Sequence, residues 1–102
     1  MRRTEPTVQT LQGLDDLLKH NQWVHGWEVI RRTGQRGGRV YPVLHRFVEL
    51  GWLESTPEVM QPADYGQRPA RIYYRWTELG KQAWPAFRKG GDAWEAFLRS
   101  QA

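Results

Sequence analysis

Between Gly38 and Gly51 the chain places Val40, Val43, Leu44, Phe47 and Leu50 on one face of a helix. Just before it lies a shorter segment, His25 to Thr33, with Trp27 and Ile30 one turn apart and Val29 beside them. Gly34 ends that segment, because glycine adopts the left-handed cap conformation cheaply. Gln35-Arg36-Gly37-Gly38 then forms a tight turn. A short helix, a glycine turn and a second amphipathic helix make up the helix-turn-helix pattern. This pattern limits the chain to a few small helical architectures.

The flanking segments narrow the choice. Residues 7–20 read as a helix with Leu11, Leu14, Leu17 and Leu18 in one stripe, Thr7 as its cap, and Asp15 and Asp16 facing water. Residues 21–24 read as a turn. Trp52 to Ser55 is a short strand, 57–69 a proline- and glycine-rich loop, and Ala70 to Trp76 a second strand with Ile72, Tyr74 and Trp76 on one face. Two strands and a basic-tipped loop after a helix-turn-helix form a wing. Thr77 caps a last helix, which Pro85 should kink and Gly90-Gly91 should interrupt, with Asp92 recapping it and Ala93, Trp94, Phe97 and Leu98 in a final stripe. The expected fold is mainly α with a two-stranded wing, a winged helix-turn-helix. Residues 1–80 are the expected DNA-binding domain and 81–102 a C-terminal dimerisation helix.

Charge fits this plan. The 102 residues carry a net charge of +4, and twelve of the fifteen basic residues are arginine. Arginine grips phosphate bidentately and stacks on bases. Segment 25–50 has five arginines against Glu28 and Glu49, and segment 66–76 has Arg68, Arg71 and Arg75 with no acid. The stretch between them holds Glu54, Glu58 and Asp64 and no base. Two basic islands around an acidic stretch suit contact with a polyanion.

Other classes find little support. The absence of cysteine excludes disulfides and thiolate metal sites. His20, His25 and His45 lack ligand spacing, so no metal is expected, and no cofactor motif or nucleophile–base set appears. The expectation is a non-enzyme. No apolar run approaches the roughly 20 residues of a membrane span, and Met1 to Pro6 lacks a leader's apolar stretch. The expected location is the cytoplasm, at the nucleoid, with double-stranded DNA as the partner.

The longer helix of the pair offers Arg39, Tyr41, Pro42, His45 and Arg46 off its apolar stripe. The N-terminal end of such a helix meets base edges in the major groove. Arg39 can hold a guanine edge, Tyr41 or Pro42 a thymine methyl, and His45 and Arg46 phosphate or base. Gln35, Arg36 and Gly38 belong to the turn that delivers this helix, and its glycines let backbone N–H groups approach a phosphate. Pro42 removes a bond to Gly38, where the chain can yield. Gln67 and Arg68 mark the wing tip, and Arg71 follows on the strand's outer face, within reach of phosphate.

The run from His25 to Ser55, containing Tyr41-Pro42-Val43-Leu44-His45-Arg46, and the run Arg68-Pro69-Ala70-Arg71-Ile72-Tyr73-Tyr74 closely resemble the PadR family of bacterial transcriptional regulators. The resemblance covers residues 11–80 and extends loosely over 81–102. It implies a dimeric winged-helix repressor of the family's smaller subgroup, with one dimerising helix after the wing. The chain departs from the family at Arg36-Gly37-Gly38-Arg39, where a Ser-Pro-Gly-Thr or Ser-Ser-Gly-Thr run is usual. The serine cap is lost there and an altered sequence preference is implied.

A homodimer on a pseudo-palindromic operator is therefore expected, with Leu11, Leu14, Leu18, Trp84, Phe87, Trp94, Phe97 and Leu98 as the interface, or as a slot for a planar aromatic effector with Trp94 best placed. Two other roles share the fold: a partition-type or structural DNA-binding protein of a plasmid or phage, and a ligand sensor built on that aromatic slot.

Overall fold

The computed structural model describes residues 2–101. Helix α1 (Glu5–Leu18) starts earlier than its sequence suggests. Thr4, rather than Thr7, is the cap, its hydroxyl accepting from the Thr7 N–H. Pro6 therefore lies inside the first turn, where its missing N–H is no loss. Strand β1 (Val24–His25) occupies part of the segment read as a turn. Helices α2 (Gly26–Thr33) and α3 (Gly37–Glu49) follow. Gly34 between them has φ +73°, the left-handed cap its sequence position called for.

Strands β2 (Leu53–Pro57) and β3 (Ile72–Trp76) pair antiparallel, with Leu53 opposite Trp76 and Pro57 opposite Ile72. They are the expected wing. The sheet nevertheless has three strands in the order β1-β3-β2, because Val24 and His25 add to the free edge of β3 opposite Tyr74 and Tyr73. A short 3-10 turn at Pro62–Asp64 interrupts the wing loop. Thr77 caps helix α4 (Glu78–Lys89) by accepting from the Gly80 N–H, as expected. The chain breaks at Gly90-Gly91 and resumes as α5 (Gly91–Ser100), but Asp92 makes no cap and sits in the first turn.

One hydrophobic cluster runs through all these elements. Val8, Leu11 and Leu14 of α1 meet Val29, Val40, Leu44 and Phe47, and the cluster continues through Trp52 and Tyr74 to Trp84, Phe87 and Trp94. Phe87 sits edge-on to Trp52 and Trp94, at 5.3 and 5.0 Å between ring centres. This corrects the proposed interface set. Leu11, Leu14, Trp84, Phe87 and Trp94 are buried within the protomer. Each large apolar side chain gains about 1.5–3 kcal/mol on burial, and a chain of this size needs them for its own core. Trp94 also stacks on Phe97 at 5.6 Å, so the proposed slot at Trp94 is filled from within the same chain. Leu98 remains exposed, and Leu18 and Phe97 half-buried. Two other inward expectations fail. Trp27 is 54% exposed, since α2 buries Val29 instead, and Leu50 is exposed where α3 ends.

Candidate nucleic-acid interface

The outer face of α3 is the site's centre. Val40, Val43, Leu44 and Phe47 fix the helix to the core, which leaves Gly38, Arg39, Tyr41, Pro42, His45 and Arg46 exposed on the other side. Glu49 shares that side at the far end. No side chain caps α3: its N-cap is Arg36, so the amides of the first turn face outward. The expected loss of a cap at this position is what the fold displays.

Tyr41 has a structural duty beside any contact it makes. Its ring lies between the first residues of α2 and α3. A Cβ built on Gly26 would stand 2.3 Å from Tyr41 Cε1, and one on Gly37 would stand 3.2 Å from Cε2. Two glycines thus let the two helix N-termini close onto one aromatic plate. The ring is still 40% exposed.

Grooves flank α3 on both sides. One, of about 980 Å³, runs between α3 and the N-terminal segment and is lined by Arg2, Thr4, Arg36, Arg39, Pro42 and Arg46, among others. The other, of about 240 Å³, lies between α3 and the wing and includes His25, Trp27, Tyr41, His45 and Arg71. A helix in the major groove has a phosphate strand on each side, and a ridge between two grooves is complementary in shape to such a surface. Trp27 and Arg2 were missed from the sequence. Trp27 fitted an apolar stripe, and nothing local to Arg2 places it beside α3. His25 is buried at the start of α2, where its backbone N–H donates to the Glu28 carboxylate at 3.0 Å. Burial pushes its pKa down, against the opposing pull of Glu28.

The basic side chains divide into two groups. Arg32 pairs with Asp16, Arg75 with Glu54 while lying 4.1 Å over the Trp23 ring, and Arg3 donates to the Phe87 and Arg88 carbonyls. In the wing, Arg68 binds Glu58 through both terminal nitrogens at 2.7 Å, and Glu58 also accepts from the Arg71 N–H. The Arg68 guanidinium and that amide hold the Glu58 carboxyl down to about 2. Arg68 is thus a brace across the wing loop, with its charge already matched. Gln67 is exposed beside it. Gln35, another expected contact, is tied inward by Thr10 and by the Pro6 carbonyl. Among the described residues, Arg36, Arg39, Arg46 and Arg71 pair with no carboxylate. The structure therefore gathers Arg36, Gly38, Arg39, Tyr41, Pro42, His45, Arg46 and Arg71 on one surface and sets Gln35 and Arg68 to bracing roles.

Among the described residues no group of three or more His, Cys, Asp or Glu side chains could hold a metal ion. No helix there is long and apolar enough to cross a membrane.

A helix-turn-helix followed by a wing, with free cations on the second helix, defines the winged-helix class of DNA-binding regulators. The chain belongs to the transcriptional regulator PadR-like family, whose model matches residues 16–86. The fold is similar to the X-ray structure of a PadR-like transcription factor from Bacteroides fragilis. That similarity has a TM-score of 0.60 and 19% identity over 91% of this chain and 87% of the other. No curated protein matches the chain.

Proposed function

We propose that the chain is a homodimeric repressor that binds a pseudo-palindromic operator at the nucleoid and blocks access of the polymerase. The observation that carries this reading is the outer face of α3, where Arg39 and Arg46 stand without acidic partners between two grooves. Helix α3 enters the major groove, and the wing, stiffened by the Arg68–Glu58 pair, lies against the flanking backbone with Arg71 as its free cation.

A dimer is supported by size. One helix-turn-helix touches too few base pairs to find a genomic site alone. With most of the expected interface absorbed into the core, the surface left for a second copy is the outer side of α5. Leu98 is 49% exposed there, and Phe97 is half-buried.

The test is Arg39→Ala, assayed on the preferred duplex and on random duplexes. The expected loss is about 1–3 kcal/mol on the preferred site, with relaxed preference at one base position. Equal weakening on every sequence would make Arg39 a phosphate contact. Unchanged binding on all duplexes would remove α3 from the interface.

A further inference from the structure

The groove on the N-terminal side of α3 is more basic than a recognition helix alone requires. Its lining includes four arginines and no carboxylate. Three of them, Arg36, Arg39 and Arg46, come from α3 and its cap, and Arg2 comes from the segment ahead of α1, more than thirty residues earlier in the chain. Arg2 is exposed and forms no hydrogen bond or ion pair among the described residues, whereas the neighbouring Arg3 is held by two carbonyls. The start of α1 also faces this groove through Thr4 and Thr7, and the start of α3 through Arg36 and Gly38. Two helices of 14 and 13 residues thus bring their positive ends to one place. The acid of the first turn of α1, Glu5, lines a different groove, with Gln9, Asp16 and Arg32.

Four unmatched guanidinium groups and two helix N-termini around an acid-free channel select a chain of phosphodiesters. We propose that this groove holds one backbone strand of duplex DNA, and that the N-terminal segment, through Arg2, is a contact element in its own right beside α3 and the wing. The proposal rests on the reading of α3 as the DNA-facing helix. It adds a second clamp, so that α3 is gripped from the side away from the wing as well as from the wing side.

The test uses a fluorescent 24-base-pair duplex of random sequence and follows its anisotropy against the full chain over a range of KCl concentrations. Arg2→Ala should reduce the slope of log affinity against log salt by about 0.9, the release expected for one lost phosphate contact. Its affinity should fall about three- to tenfold at low salt, and Arg2→Glu should lose more. Lys81→Ala is the matched control. It removes the same charge at the opposite end of α1, beside Asp15 and Lys19. Arg2 supports nothing in the fold, so unchanged helical content is expected in both variants. A slope for Arg2→Ala equal to that of Lys81→Ala would overturn the groove proposal while leaving the DNA-binding reading intact. A wild-type chain that binds no duplex at low salt would overturn both.

Discussion

At the scale of single residues, the wing turns on Glu58. Sequence composition made Arg68 a free cation at the wing tip, yet its charge is spent on Glu58, ten residues earlier. Glu58→Gln would keep the shape and release that charge. Binding to random duplex should become tighter and steeper in salt, by about one unit of slope, if the freed guanidinium then meets phosphate. The same anisotropy titration reads this, and an unchanged slope would show that the wing tip stands clear of the backbone. The pair also sets a pH dependence. Glu58 has its pKa lowered from 4.5 to about 2, so the folded wing favours the ionised carboxylate. Its contribution is complete above the unfolded value near 4.5 and is lost as pH falls toward about 2. Wing resonances should therefore loosen only below about pH 4.5, before the helical core responds.

At the scale of elements, the packing of α2 on α3 through Tyr41 gives a stability prediction. Gly26→Ala places a methyl 2.3 Å from the Tyr41 ring, so α2 or the ring must shift. The expected cost is about 1–3 kcal/mol, from overpacking, read by thermal denaturation. Gly37→Ala, at 3.2 Å, should cost less. Equal and negligible costs would mean that the two helices are not locked through this ring. The elements themselves were legible wherever a local rule decides them. The glycine stop at Gly34, the α3 stripe, the Thr77 cap and the break at Gly90-Gly91 all follow from the spacing of neighbours. Features set by distant chain were not. Val24 and His25 are a strand only because β3 offers a free edge. Trp94 joins the core only because Trp52 and Phe87 form a site for it, so the largest ring of a stripe that looked like an interface is interior while Leu98 stays exposed. For the candidate site the α3 residues were legible, because an amphipathic helix declares its outer face. The partners that decide which arginines stay free lie ten or more residues away, as Glu58 does from Arg68.

At the scale of the whole molecule, a ridge with a groove on each side explains how a chain of 12.0 kDa can hold DNA with little surface to spare. The N-terminal segment, α3 and the wing lie in sequence across one face, while the aromatic core behind them joins α4 and α5 to the helix-turn-helix and wing as one body. That continuity sets the orientation of α3 relative to the exposed side of α5. In a two-fold dimer joined there, the two recognition helices would keep a fixed separation. The most direct measurement is selection of bound sequences by the full chain from a pool of random duplexes. The expected product is an inverted repeat whose half-site centres lie about 10 base pairs, roughly 34 Å, apart or at a multiple of that spacing. Enrichment of a single unrepeated motif, or of no motif at all, would contradict a dimeric, sequence-reading regulator.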